Sequence, residues 1–115
     1  MKKFEAQTIE HNGNGLELNI LTIDSITIPK HHPRNDYGDL GELQGSLRRD
    51  GIQDPLLVFE VEAGSYGIID GARRLKAAQE MGWAGVPCLI KRGITEAEAA
   101  HLSYVKNVER KTLSV

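Results

Sequence analysis

The chain contains a single cysteine, Cys88, among its 115 residues. One cysteine excludes a disulfide framework and a cysteine-rich zinc site within the chain. Long apolar runs are also missing, since none approaches the ~20 residues that a membrane-spanning helix needs. The segment that begins at Met1 becomes polar within a few residues. We therefore expect no signal peptide, no membrane partner and a cytoplasmic protein.

An excess of basic residues is also lacking. The chain has 14 Lys and Arg against 16 Asp and Glu, a formal net charge of −2, whereas a nucleic-acid-binding domain is usually basic. The charges are unevenly distributed, because residues 1–70 carry 6 basic and 12 acidic side chains and residues 71–115 carry 8 basic and 4 acidic ones. We expect an anion site to draw on the second half, and this domain alone to bind DNA weakly.

The composition is that of one folded domain. Apolar residues make up 40% of the chain and charged residues 26%, so a core can form without a metal or a disulfide. Apolar patterns predict strands at residues 4–10, 16–23, 56–61, 66–69 and 86–90, with helices ending near residues 50, 81 and 108. This order predicts an α+β domain with a small mixed sheet and three to four helices. We expect residues 1–22 to form a β-hairpin extension and residues 23–115 the main domain.

Capping signals mark the predicted helices. Asp39 and Asp70 are the expected caps of the first two helices. Thr95 and Glu98 match a capping box at the start of the third helix. Gly51 and Gly82 are expected to end the first two helices. The predicted inner faces consist of Ala72, Leu75 and Ala78 in the second helix and of His101, Tyr104, Val105 and Val108 in the third.

The segment with the clearest chemistry runs from a strand through Gly71 into a helix whose first turn carries Arg73 and Arg74. A helix N-terminus presents unpaired N–H groups and a partial positive charge. Glycine allows the backbone to approach a ligand, and arginine binds phosphate oxygens through its fork of donors. Arginine in a first turn opposes the helix dipole, which favours an anionic ligand there. The alternative is a helix start with solvated arginines.

Two further segments contain candidate ligand contacts. Asn107 and Arg110 are i, i+3 neighbours that can point at one ligand, although a solvated helix end has the same sequence. The turn 51–55 has a backbone that can hydrogen-bond a base edge, although it also fits an ordinary helix-to-strand turn.

Five motifs occur in the order and spacing of one family. They are Pro33-Arg34, the turn from Gly51 to Pro55, Gly71-Ala72-Arg73-Arg74, Val86-Pro87, and Asn107 with Arg110. From about residue 23 onwards the chain resembles the N-terminal domain of the ParB family, in the ParB/sulfiredoxin superfamily. The resemblance implies a nucleotide-binding switch that takes CTP, or ATP, with Mg²⁺. It also implies a nucleotide-dependent homodimer, a ParA-type ATPase partner, and a nucleoid-associated role in chromosome or plasmid partition. DNA contact is expected through a helix-turn-helix domain that is not in this sequence.

The resemblance also implies roles for individual residues. Those placed at the phosphates are Gly71, Ala72, Arg73, Arg74, Asn107 and Arg110. Those placed at the base and sugar are Gly51, Ile52, Gln53 and Pro55. Arg34 is an additional contact, and Asn107 also lies beside the Mg²⁺.

This sequence departs from the family pattern at three positions. Asp54 precedes Pro55 where the family often has Gln, which leaves the base preference open. Ala72 replaces the Glu of Gly-Glu-Arg-Arg, and Lys106 replaces the Glu of Glu-Asn-x-x-Arg. Because two carboxylates are lost, we expect nucleotide binding without efficient turnover, at most a weak nucleoside triphosphatase. Lys106 is a candidate to neutralise phosphate charge in place of the metal.

Three other classes of function have their own sequence requirements. A sulfiredoxin-like enzyme needs a nucleophilic cysteine at the position of Ala72, and Cys88 falls in a predicted strand. A kinase-like phosphotransferase of the same fold needs an acidic base, for which the candidates are Asp36, Asp39 and Glu42. A nuclease or zinc site needs clustered carboxylates or histidines, whereas His31 and His32 are adjacent and fit a solvated loop. A non-enzymatic protein-interaction module is the third class of function, and it predicts no nucleotide affinity.

Overall fold

A computed structural model of the chain describes residues 10–11, 16–30, 32–33 and 37–113. Within these residues, six strands form one mixed sheet in the order β1-β2-β6-β4-β5-β3. The strands are β1 (Glu10–His11), β2 (Glu17–Thr22), β3 (Ile26–Thr27), β4 (Leu56–Glu62), β5 (Ser65–Asp70) and β6 (Gly85–Lys91). The helices are α1 (Gly41–Asp50), α2 (Ala72–Glu80) and α3 (Glu96–Leu113). The predicted α+β class is confirmed, whereas the predicted strand over residues 4–9 lies outside the described residues.

Strand pairing places β6 and β4 at the centre of the sheet. β4 and β5 form an antiparallel hairpin, and β6 returns parallel to β4 after α2. β2 runs antiparallel to β6 along its whole length. In the described part of the chain no helix has the length and apolar character to cross a bilayer.

The two faces of the sheet are covered by different helices. Side chains alternate between the faces of a strand, so neighbouring residues such as Ile68 and Ile69 belong to different core clusters. On the first face, the inward side of α2 is buried as predicted, because small and branched side chains let the helix lie close to the sheet. Its members Ala72, Leu75 and Ala78 are at most 2% exposed. On the second face, α3 packs against Phe59 and Ile69.

The predicted inner face of α3 is wrong. Tyr104 and Val108 are 61% and 40% exposed, and His101 is exposed as well. Among the α3 side chains described, over residues 96–109, the buried ones are Ala99 and Ser103, which are one turn apart. Small side chains at these two positions allow the helix backbone to approach the bulky ring of Phe59. Close packing against the sheet, rather than the hydrophobicity of individual α3 residues, therefore sets the rotation of the helix.

The start of α3 follows the predicted capping box. The Thr95 N–H donates to Glu98 Oε1 at 2.7 Å, and the Glu98 N–H donates to Thr95 Oγ1 at 3.0 Å. The other two predicted caps are wrong. Leu40 is the cap residue of α1, although Asp39 Oδ1 accepts the Gly41 N–H at 2.9 Å. Gly71 is the cap residue of α2, because Asp70 continues β5 and pairs with Leu57.

An ion pair network joins three adjacent strands. Arg92 follows β6, and its guanidinium bonds Glu17 of β2 at 3.0 and 3.2 Å and Glu60 of β4 at 2.7 Å. Hydrogen bonds donated to Glu17 and Glu60 raise the pKa of Arg92. Arg92, which lies in the basic second half of the chain, is thus paired with two carboxylates of the acidic first half.

Candidate functional site

The candidate site is built around the tight connection between β5 and α2. Gly71 has φ +106° and ψ 22°, in the left-handed region that favours glycine. A Cβ at this position would lie 2.6 Å from Leu56 Cδ2 and 3.2 Å from Arg74 Nη2. Because Gly71 has no side chain, the strand turns directly into the helix. The first N–H groups of α2 are left without partners inside the helix, as at any helix N-terminus.

A cleft of about 250 Å³ opens beside this turn. It is lined by His32, Leu43, Asp70, Gly71, Ala72, Arg73 and Arg74. The Ala72 side chain is only 2% exposed, because it packs into the core. The charged wall of the cleft consists of two arginines and one aspartate, with a histidine beside them. A helix N-terminus flanked by two guanidinium groups has the electrostatics to attract an anion such as phosphate.

Arg73 ties the start of α2 to the loop that precedes α1. Its Nε donates to the Tyr37 carbonyl oxygen at 3.0 Å, and its Nη2 donates to the Asp39 carbonyl oxygen at 3.1 Å. These bonds hold the planar guanidinium in one orientation at the edge of the cleft.

Arg74 connects the cleft to the turn between α1 and β4. Its Nη1 donates to the carbonyl oxygen of Asp54. That turn starts at Gly51, which ends α1 with φ +73° as predicted, and its residue Ile52 packs on the core. Gln53 is exposed, and its Nε2 lies 3.4 Å from the Asp50 carbonyl oxygen. The Arg74–Asp54 bond therefore joins the start of α2, where the resemblance placed the phosphates, to the turn where it placed the base.

The residues that the resemblance placed on α3 are not part of this cleft. Asn107 is half-buried on α3 and is absent from the cleft lining among the described residues. Lys106 next to it is exposed. The side chain of Arg110 and the whole of Arg34 lie outside the described residues. The described cleft is thus formed by the end of β5, the start of α2, Leu43 of α1 and His32, and the turn 51–55 is linked to it by the Arg74–Asp54 bond.

His32 is the site residue that sequence reasoning missed. It was expected in a solvated loop, but it is half-buried, and its Nε2 lies 3.1 Å from the Ile69 carbonyl oxygen. Its ring lines the cleft on one side and, on the other, a narrow apolar cavity below α3 that Glu96 also lines. The sequence feature that could have indicated this is the pair Pro29 and Pro33 on either side of His32. Prolines restrict the backbone of the loop that passes the end of β5.

Of the candidate thiol and acids that other functions require, those within the described residues do not line the cleft. Cys88 is fully buried in β6, and burial raises the pKa of its thiol to about 12, so it is an inert core residue. Asp39 and Glu42 are exposed near the start of α1, and Asp36 lies outside the described residues.

The described donors do not form a metal site. No three His, Cys, Asp or Glu side chains of the described residues come together as metal ligands. Mg²⁺ is usually held by one or two carboxylates together with phosphate oxygens, and the position beside Asn107 carries a lysine. The described donors therefore do not fit a Mg²⁺ held by the protein.

Both a protein family model and a curated relative match most of the chain. The sequence matches the family described as the ParB N-terminal domain over residues 6–108. The nucleoid occlusion protein of Bacillus cereus (strain B4264) is 33% identical over 100 residues, which are 85% of this chain and 34% of that protein. The chain thus spans about a third of the length of this curated relative.

Two solved structures share the fold. The C-terminally truncated chromosome-partitioning protein ParB from Caulobacter crescentus, complexed with CTP-γ-S, superposes with a TM-score of 0.71 and 27% identity. The match covers 80% of this chain and 53% of that one. Sulfiredoxin from Arabidopsis thaliana superposes with a TM-score of 0.60 and 32% identity, over 74% of this chain and 96% of that one. The predicted ParB/sulfiredoxin-like fold is confirmed.

Proposed function

Because the chain belongs to the ParB N-terminal domain family, we propose that it binds a nucleoside triphosphate, with CTP preferred, and acts as a nucleotide-controlled switch in a DNA-associated protein. The observation that carries the proposal is the cleft at the N-terminus of α2, with Gly71 at its base and Arg73 and Arg74 in its wall. The similarity to the CTP-γ-S complex of the Caulobacter protein supports the choice of ligand.

The phosphates are proposed to bind at the first turn of α2. Because Gly71 has no Cβ, phosphate oxygens can approach the backbone N–H groups of this turn. Arg74 adds a guanidinium whose orientation is fixed by the Asp54 carbonyl oxygen. Arg73 adds a second one, fixed by Tyr37 and Asp39. Ala72 contributes its backbone only, since its side chain is buried.

The base is proposed to lie against the turn 51–55. The bond from Arg74 to Asp54 holds this turn next to the proposed phosphate site, and Gly51, Ile52, Gln53 and Pro55 are the residues proposed to contact the base and sugar. Asn107 and Arg110 are proposed to join the phosphates from α3, together with Arg34, once the nucleotide is bound. ATP remains the second nucleotide to test, because Asp54 stands at the position before the proline.

Turnover is proposed to be slow. The residue that follows Gly71 is an alanine with a buried side chain, so the cleft wall has no carboxylate at that position to act on a water molecule. Lys106 is exposed and carries a positive charge that can offset phosphate charge beside Asn107. We propose that the nucleotide acts mainly through binding.

The cellular setting is also a proposal. The similarity to nucleoid occlusion proteins supports a role at the nucleoid, in chromosome or plasmid partition or in DNA-linked regulation. DNA is proposed to be bound mainly through another part of the full protein, because this domain has a net charge of −2. We also propose that the full protein interacts with a ParA-type ATPase and forms a homodimer when nucleotide is bound. Its proposed location is the cytoplasm.

Calorimetric titration with CTP, ATP, GTP and UTP, with and without Mg²⁺, tests the proposed ligand. We expect saturable CTP binding that is weakened in Arg74→Ala by about 10- to 100-fold, the effect of losing one charged hydrogen bond. Arg49→Ala is the matched control, because this arginine lies on α1 with a side chain that is 71% exposed. Preference for ATP would favour the phosphotransfer alternative. If no nucleotide binds at millimolar concentration, the proposed function is wrong and a non-enzymatic protein-interaction module becomes the favoured function.

A further inference from the structure

Helix α1 is packed much more lightly than α2. It buries one of its ten residues, Leu47, whereas α2 buries four of its nine. Gly45 lies in the middle of α1, and a glycine disfavours a helix relative to alanine. A helix with few buried side chains and a low propensity opens at a lower free energy than the core around it. Helix α1 therefore has the properties of a segment that opens before the rest of the domain unfolds.

The two arginines of the proposed phosphate site hold the two ends of the segment that contains α1. Arg73 donates to the main-chain oxygens of Tyr37 and Asp39, before α1, at 3.0 and 3.1 Å. Arg74 donates to the main-chain oxygen of Asp54, after α1. The segment 37–54 is thus tied at both ends to the first turn of α2, and the side chains that tie it also line the cleft.

Between these ends, α1 rests on α2 through a small core cluster of its own. Leu40 and Leu47 pack with Ala77 of α2 in this cluster, and all three are buried. Leu43 of the same helix lines the cleft beside the arginines. If the segment lifted away from α2, the cleft would lose one of its walls and both arginines would lose their anchors.

We propose that residues 37–54 form a strap that opens from α2 as one unit, and that a bound nucleotide holds this strap closed. Opening follows from the light packing of α1, whereas closure by the nucleotide rests on the proposed nucleotide binding. An arginine has five N–H donors. Arg73 uses two of them and Arg74 uses one on the main-chain oxygens of the strap. Each guanidinium can therefore hold the strap and a phosphate at the same time.

The strap and the nucleotide favour one another through these arginines. In the closed state the guanidinium groups are already ordered, so binding a phosphate costs less conformational entropy. In the open state the nucleotide alone must order them. The nucleotide therefore binds the closed state more tightly and shifts the population towards it. Coupling between two sites typically amounts to about 5- to 150-fold in affinity, and we expect about tenfold here.

Amide hydrogen exchange of the whole chain, with and without saturating CTP, tests both parts of the proposal. In the free protein, the hydrogen-bonded amides of α1 should exchange at least about tenfold faster than the slowest amides of β4 and β6, because the strap opens without the sheet. CTP should slow exchange in β4 and β6 in any case, because binding stabilises the chain against global unfolding. It should slow exchange in α1, by about tenfold, only if opening of the strap weakens binding.

The possible outcomes separate the strap from the proposed function. Equal protection of α1 and of the two strands in the free protein would overturn independent opening. Unchanged exchange in α1 with CTP bound would overturn the nucleotide control alone. Absence of CTP binding in calorimetry would overturn the proposed function and the nucleotide control with it, whereas independent opening would still be measured in the free protein.

Leu47→Ala and Leu21→Ala form a matched pair of variants. Both leucines are buried, at 4% and 8% exposure, and Leu21 lies on β2, which β6 and β4 separate from β5 in the sheet. Leu47→Ala should speed exchange in α1 by at least about 30-fold, the lower end of the effect of truncating a buried leucine. Leu21→Ala should speed exchange in the sheet and leave α1 unchanged. Equal acceleration of α1 in both variants would contradict the strap. If Leu47→Ala does not fold, the wild-type exchange with and without CTP decides.

Discussion

The guanidinium of Arg74 donates a hydrogen bond from Nη1 to the main-chain oxygen of Asp54, 20 residues earlier in the chain. This bond joins the first turn of α2 to the turn that follows α1. The two segments are distant in sequence, and each is ambiguous when taken alone. Held together, they form the two ends of one proposed nucleotide site.

Replacing Arg74 with lysine is expected to weaken CTP binding nearly as much as Arg74→Ala. A lysine keeps the charge but lacks the fork that can donate to Asp54 and to a phosphate at the same time. We expect a loss of about tenfold or more, the effect of one charged hydrogen bond, measured by calorimetry. Arg48→Lys, an exposed arginine of α1, is the control and should be neutral. Near-wild-type affinity in Arg74→Lys would mean that charge alone is sufficient at this position.

Gly71→Ala is expected to destabilise the fold. An alanine there would keep the strained φ of +106° and place its Cβ 2.6 Å from Leu56 Cδ2. Backbone strain and overpacking together should cost about 2–4 kcal/mol of unfolding free energy, measured in urea. Gly45→Ala is the control, since a Cβ there would meet no described atom within 4 Å apart from the local backbone of α1. That change should stabilise by about 0.5–1 kcal/mol. Similar effects for the two variants would contradict the described turn.

Arg73→Ala is expected to release the loop before α1. Its two bonds to the carbonyl oxygens of Tyr37 and Asp39 are partly exposed, so their loss should cost about 1 kcal/mol. Amide hydrogen exchange should become faster around residues 37–41. The control Lys76→Ala removes another cation of α2 and should cost less than about 0.5 kcal/mol. Unchanged exchange in Arg73→Ala would show that the loop is held by other contacts.

Stability is expected to fall at high pH because of Cys88. Burial raises the pKa of its thiol from 9.0 to about 12. Since the folded-state pKa is the higher one, the stabilisation is complete below pH 9 and is lost as the pH rises from 9 to about 12, where unfolding releases the proton. Urea unfolding of wild type and Cys88→Ala, with reductant present, measures the difference. A parallel pH dependence in the two proteins would contradict this expectation.

Local signals predicted a large part of the fold. Thr95 and Glu98 form the expected capping box, Gly51 ends α1, and the inner face of α2 is buried as its spacing indicates. Each of these features depends on residues within a few positions of one another. A helix cap or a helical stripe is complete within a single segment, so its chemistry can be read directly from the sequence.

Contacts between segments were not predictable in the same way. The rotation of α3, with Ala99 rather than Tyr104 inside, depends on the shape of the sheet face that it meets. The caps expected at Asp39 and Asp70 lie one residue later in the structure. At Asp70 the reason is its pairing with Leu57, which makes Asp70 the last residue of β5. Strand pairing and close packing are long-range constraints, and they override local preference.

The sequence by itself determined the fold class, the glycine turn into α2 and the two arginines that follow it. Only the tertiary structure decided that Arg74 reaches Asp54, that Arg73 is anchored to the loop before α1, and that His32 lies in the same cleft. The physical reason is that an anion site needs several donors at one point in space. Donors from distant segments converge only after the sheet has fixed where each strand ends.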